Sequence, residues 1–374
     1  MSNLNTLVTE YEDPKLNTIC QAIVDELPVK SIIIIGSRAT GNHHESSDYD
    51  LIVVMNIIQA VMRIKRIKRI QQQLSDQLGI SLSINPLTSI QLKRTKGSLF
   101  FYKVKKEGVT LMGRNYIESL PVSELPEMPL EVFISFLSSV VEKLVSSVDL
   151  EPNSNSHSSL KNINKTTISK CILQCGELYL LLRGIYPNGY SDTVRILELL
   201  SNDYPELTEI SQDTELALKT VYGPANGQET SYSNWFKCRS HIVNLISLLF
   251  GISEKTPSEV LPAIFNSYLK KRGVFRIRNL QYFLLISAVK HQFPWKVIVS
   301  GKYVERSMRI AMFWLMMALT EDKKLDKHII DSSEETLKGI MNLPNHNHDT
   351  TNHWLFLRET IIDRWQYSET VLGF

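Results

Sequence analysis

Residues 31–54 read SIIIIGSRATGNHHESSDYDLIVV, and within them Asp48 and Asp50 flank Tyr49 at the head of an apolar run. In an extended strand, residues two apart point to the same face. The pair therefore sets two carboxylates side by side. Oxygen ligands of this kind suit Mg²⁺, or Mn²⁺ in its place, which completes its shell with water and substrate phosphates. Upstream, Gly36 lets the backbone approach a ligand closely, and Ser37 adds a hydroxyl beside the amides of the next turn. Arg38 follows with a planar fork that matches phosphate oxygens. Together these residues describe a site for a nucleoside triphosphate with its metal.

The elements that must position this set are a strand at Ile32–Ile35, which delivers the turn, and a strand at Asp50–Met55, which carries the acids. The bland alternative is an ordinary hairpin or βαβ turn whose aspartates cap a helix or a strand end. His43 and His44 lie in the loop between turn and acids, as phosphate contacts or as exposed loop residues.

A strand, Gly-Ser, a spacer and then Asp-x-Asp before apolar residues resembles the signature of the DNA polymerase beta-like nucleotidyltransferase superfamily, matched here by Gly36, Ser37, Asp48 and Asp50. The resemblance extends more weakly to about residue 116. Ile57–Leu78 has helical periodicity ended by Gly79, Ile80–Ile84 alternates as a strand does, and Ser98–Gly113 is similar to the family's closing helix and short strand. The resemblance implies a small mixed sheet and transfer of a nucleoside monophosphate from an NTP to a hydroxyl acceptor. It also implies a third carboxylate on the strand at 80–84, where this chain offers Ser81 and Ser83 with Asn85 just after. A serine hydroxyl does not serve as a base at neutral pH. Either another element supplies that base, or the domain binds nucleotide without efficient turnover.

The segment Thr166–Leu200 is similar to the start of the helical second domain of aminoglycoside-type nucleotidyltransferases, from Gly176-Glu177-Leu178 through Tyr190-Ser191. That likeness makes Glu177 the candidate for the missing acid. The competing reading has Glu177 at the surface or paired with a neighbour such as Arg183.

At 374 residues the chain exceeds one typical domain. Its 43% hydrophobic and 21% charged content is that of a globular protein, and a net charge of +2 is too small to argue for nucleic acid. Cys20, Cys171, Cys175 and Cys238 are few and dispersed, which suits a reduced, cytoplasmic protein. The spacing of Cys171 and Cys175 fits two small buried residues on one helix face. No signal-peptide pattern opens the chain. The apolar run Ile310–Leu319 is about half of what a bilayer requires, so no membrane association is expected.

The fold class expected is α+β, with a small mixed-sheet nucleotidyltransferase domain at 1–116, a Pro-rich linker at 117–130, and an all-α bundle at 131–374, in one or two sections. A helix at Lys15–Leu27 is expected to pack on the sheet. Helical periods recur at Leu130–Val148, Thr166–Tyr186, Ser191–Leu200, Asp213–Tyr222, Tyr232–Leu249, Pro257–Lys271, Arg278–His291, Tyr303–Leu319, Ser333–Met341 and His353–Tyr367. Glu151–Asn164 and residues 223–231 read as polar loops.

Arg63-Ile-Lys-Arg-Ile-Lys-Arg69 packs cations around Ile64 and Ile67, a basic helical face that meets nucleic acid or is simply solvated. Lys93–Lys96 and Lys270–Arg278 add further basic clusters, and His346, His348, Asp349 and His353 read as a surface loop. Three function classes fit these features. One is a transferase acting on a small molecule or protein, the second an RNA-directed one. The third is a degenerate nucleotide-binding domain acting as a regulatory, toxin–antitoxin or defence module.

Overall fold

The structure, a computed structural model, describes residues 13–41, 43, 47–56, 59, 63–93, 98–150, 160–223, 231–252, 304–343 and 349–372. The chain divides into two compact units, one formed by Met1–Val132 with Leu181–Asp192, the other by Phe133–Leu180 with Thr193–Leu372.

The first unit opens with α1 (Pro14–Glu26), where the Asp13 carboxylate accepts hydrogen bonds from Lys15 N and Leu16 N and Pro14 takes the first helical position. The β-branched run Ser31–Ile35 forms β1, which leads through a short helix α2 (Ser37–Thr40) to β2 (Tyr49–Met55). After α3 (Ile64–Leu78) come β3 (Leu82–Thr88), α4 (Ser89–Lys93), α5 (Leu99–Glu107) and β4 (Val109–Gly113). The four strands lie in the order β3-β2-β1-β4. β1 runs antiparallel to β2 and β4, whereas β2 and β3 are parallel, so the sheet is mixed.

Alternation along β2 sorts the unit into two layers. Tyr49, Leu51, Val53 and Met55 join Ile32 and Ile34 in a core closed by Leu16, Ile19 and Ile23 of α1 and by Ile67, Ile70 and Leu74 of α3. Ile52 and Val54 face the other way, with Ile33, Leu87, and Phe101 and Val104 of α5. Both central strands are thus apolar on both faces.

The expected α+β class holds, with the mixed sheet followed by helices. Gly79 ends α3 in the left-handed region, φ 61°, as the glycine signal implied. The strand expected at 80–84 starts later and runs on to Thr88 through Pro86. It lies at the sheet edge, where a missing amide hydrogen is tolerated. Residues 117–130 are not a bare tether, because Leu120, Leu125 and Met128 are buried and Lys105 Nζ donates to Leu120 O at 3.2 Å.

The second unit contains α6 (Leu130–Ser146), a two-stranded ladder β5 (Val148–Leu150) and β6 (Leu160–Ile163), then α7 (Lys165–Leu182), α8 (Tyr190–Ser201), α9 (Thr208–Tyr222), α10 (Ser231–Phe250), α11 (Val304–Ala318), α12 (Lys327–Lys338) and α13 (Thr350–Leu372). The ladder corrects the expectation of an unbroken loop over 151–164. Its second strand, LKNI, is too short to show a period, and it exists because it pairs antiparallel with β5.

Buried Trp235 and Trp354 donate their indole N–H groups to Leu144 O and Leu315 O, so these large core side chains are satisfied. All four cysteines are buried and free. Burial, with the neighbouring Cys171 and Cys175 of α7, pushes the Cys238 thiol of α10 well above the ordinary range. The helices expected at Pro257–Lys271 and Arg278–His291 lie outside the described residues. No helix among the described residues is long and apolar enough to cross a membrane.

Candidate nucleotide and metal site

The β1–β2 register sets Ile35 opposite Asp50, so the turn after β1 and the acid entering β2 meet at one end of the sheet. Gly36 occupies φ 77°, ψ −158°, a conformation that L side chains rarely adopt. A Cβ added there would stand 3.3 Å from Asp50 Oδ2. The turn is therefore glycine for two reasons: backbone conformation and the close approach of a carboxylate. Ser37 follows, half-buried, at the start of α2.

Asp48 is exposed just before β2, Tyr49 is buried, and Asp50 is half-buried. Strand alternation puts Asp50 on the face of Ile52 and Val54, and Asp48 stands immediately before the strand. The parallel pairing places Ser83 beside Asp50 and Tyr49 beside Leu82, and Tyr49 N donates to Ser81 O at 2.8 Å. Ser83 thus stands where a carboxylate neighbour of Asp50 would be, and its hydroxyl accepts from Asn85 Nδ2 at 3.2 Å. β3 carries no acid.

Arg38 occupies a place unlike the phosphate-facing one expected of it. It is 8% exposed, and its Nε and Nη2 both donate to Ser47 O, at 3.0 and 2.9 Å. Nη1 lies 3.4 Å from Asp13 Oδ2, and the guanidinium carbon sits 3.7 Å from the centroid of the Tyr49 ring. The Tyr49 hydroxyl donates to the same Asp13 oxygen at 2.7 Å. Burial, then that hydrogen bond, push the Tyr49 phenol up to about 12. Sequence reasoning missed Asp13 and Tyr49. Nothing local to Asp13 signals a partner 25 residues away.

Glu177 lies on α7 in the second unit and is buried, 6% exposed, not at the surface as a typical helical glutamate would be. Its neighbour Gly176 allows close packing, since an added Cβ would come within 2.7 Å of Thr214 Cγ2 and 2.9 Å of Leu197 Cδ1. His43 is exposed. His44, His346, His348, Arg94–Lys96 and Lys270–Arg278 lie outside the described residues, and His353 stands 3.8 Å from Glu334.

The basic helix α3 exposes Lys65, Arg66, Lys68 and Arg69 while Ile67 and Ile70 enter the core. Arg66 pairs with Glu26 at 3.2 Å. Because α3 covers the face lined by Tyr49 and Leu51, these cations lie across the sheet from the face that carries Asp50.

One further group of metal-ligating types exists among the described residues: Glu209, Asp213 and His241, whose ligand atoms lie within 4.8 Å of one another. This group could accept a cation, but Asp213 already receives His241 Nε2 at 2.9 Å and Lys237 Nζ at 3.0 Å. Burial raises the Asp213 pKa, yet hydrogen bonds from His241 and Lys237 bring it below the ordinary aspartate value. The ammonium makes this an internal charge network.

One end of the mixed four-stranded sheet thus brings the Gly36 turn beside the Asp50 carboxylate. Residues 17–117 match the family described as Polymerase beta, Nucleotidyltransferase, which bears out the resemblance drawn from Gly36, Ser37, Asp48 and Asp50. Similar solved structures include a toxin–antitoxin with AMP-PNP, 22% identical over 28% of this chain and 77% of that one, at a TM-score of 0.21. Another is spectinomycin adenyltransferase AAD(9) from Enterococcus faecialis with ATP and spectinomycin, 13% identical over 62% of this chain and 98% of that one, at a TM-score of 0.42. No match is found among curated proteins.

Proposed function

We propose that this protein transfers a nucleoside monophosphate from an NTP to a hydroxyl acceptor, with pyrophosphate leaving. The observation that carries the reading is the approach of the positive-φ Gly36 backbone to the Asp50 carboxylate, inside a segment that matches the nucleotidyltransferase family. A cradle that a single Cβ would fill, beside oxygen-only donors, fits a hard divalent cation with its nucleotide. Asp48 and Asp50 would hold Mg²⁺ or Mn²⁺. When bound, the ion neutralises charge that develops on the transferring phosphate. Gly36 and Ser37 offer a small turn and a hydroxyl for the β- and γ-phosphates. The attacking hydroxyl must lose a proton, and β3 has no carboxylate to take it. Glu177 is the residue we put forward for that task.

Incubating the protein with each labelled NTP, Mg²⁺ or Mn²⁺, and a pool of metabolites and RNA should release pyrophosphate and yield a labelled product. Ser83 beside Asp50 favours a second reading, a domain that binds nucleotide without turning it over. Tight, metal-dependent nucleotide binding with no pyrophosphate would select that one.

A further inference from the structure

Arg38 follows the turn directly, yet its charge is buried and spent on protein atoms. We propose that Arg38 is a positioning residue that fixes Asp48 for metal binding, with Asp13 and Tyr49 completing the clamp; this rests on Asp48 and Asp50 being the metal-binding pair. Asp48 is exposed just before β2, so its place depends on its chain neighbours Ser47 and Tyr49. Both are held by one guanidinium. Nε and Nη2 converge on the Ser47 carbonyl, which belongs to the planar peptide unit ending at the Asp48 nitrogen. On the other side of Asp48, the Tyr49 ring lies under the same group, its centroid 3.7 Å from the guanidinium carbon.

Asp13 makes the arrangement permissible. Its Oδ1 caps α1, while its Oδ2 meets both the Tyr49 hydroxyl and the Arg38 charge. A buried cation with a carboxylate partner and satisfied donors is tolerated, whereas either charge alone is costly. Arg38 is itself attached two residues after Gly36, so the clamp also ties the turn to the acid strand. Lysine is no equivalent, since a point charge neither forks onto one carbonyl nor stacks on the ring.

The test compares Arg38→Lys, Tyr49→Phe and Asp48→Ala in the full chain, reading Mn²⁺ affinity by electron paramagnetic resonance with a non-hydrolysable NTP, alongside thermal melting. A merely structural Arg38 would lower the melting temperature and leave the Mn²⁺ affinity of the folded protein unchanged. The clamp requires Arg38→Lys to weaken Mn²⁺ binding about ten- to hundredfold, as loss of an outer partner of a metal ligand does. Tyr49→Phe should move the same way by less. If Asp48→Ala loses Mn²⁺ while Arg38→Lys and Tyr49→Phe keep wild-type affinity, the clamp is overturned and the site assignment stands. If Asp48→Ala itself keeps wild-type affinity, the site assignment falls and the clamp with it. Should Arg38→Lys not fold, Tyr49→Phe decides by the same criterion.

Discussion

Replacing Gly36 with alanine probes the turn at the level of a single methyl group. Its φ of 77° and ψ of −158° lie in a region that is essentially glycine-only, where another residue costs about 1–3 kcal/mol. For a cooperative unit of about 150–250 residues, each kcal/mol lowers the melting temperature by about 2–4 °C, so a fall of roughly 2–12 °C is expected. The second effect is local. The new Cβ would stand 3.3 Å from Asp50 Oδ2, closer than carbon and oxygen ordinarily settle, so the carboxylate must give way.

A weakening of metal-dependent nucleotide binding by about tenfold, or 1.4 kcal/mol, should accompany the loss of stability, and valine should be worse because its branched Cβ adds bulk. Gly41 separates the two effects. It also has a positive φ, 75°, but an added Cβ there meets nothing within 4 Å. Gly41→Ala should therefore lower the melting temperature without changing affinity. Differential scanning fluorimetry and calorimetry with an NTP analogue and Mg²⁺ read both quantities. A Gly36→Ala protein that melts and binds as wild type would refute the reasoning.

Glu177→Gln should slow transfer by about a hundredfold, the range for a positioned general base, with nucleotide affinity unchanged; a variant as fast as wild type removes Glu177 from the reaction. Gly176→Ala should destabilise by roughly 1–3 kcal/mol through overpacking, because its Cβ would press on Thr214 and Leu197, and denaturant unfolding reads the loss. Asp213 has a depressed pKa in the fold, so its contribution to stability is present above the ordinary aspartate value and is lost as pH falls through the lower folded value. Asp213→Asn should cost about 1.5–3 kcal/mol at neutral pH and flatten the acid limb of a stability–pH curve. An unchanged acid limb would mean that the network does not act through this carboxylate.

The chemistry-bearing segment was legible because all of its signals are local. A strand of four successive isoleucines needs no partner to be recognised, and Gly36, Asp48 and Asp50 stand out by type and spacing. The end of α3 was legible at Gly79 for the same reason. What escaped depends on pairing between distant residues. The strand Leu160–Ile163 exists through β5, and β3 extends past Pro86 only because it lies at the sheet edge. Arg38 shows the same limit within the site: its residue type suits a phosphate, but Ser47, Tyr49 and Asp13 surround it, and no periodicity foretells that. The basic run at 63–69 was readable as a helix face, whereas its position across the sheet from Asp50 required the fold.

The most direct test of the central claim is anomalous diffraction from crystals of the full chain grown with Mn²⁺ and a non-hydrolysable NTP. The account requires one Mn²⁺ ligated by carboxylate oxygens of both Asp48 and Asp50 at a bonding distance of roughly 2.0–2.2 Å, with the triphosphate against Gly36 and Ser37. A Mn²⁺ peak at Glu209, Asp213 and His241 alone, or nucleotide bound away from the Gly36 turn, would contradict it.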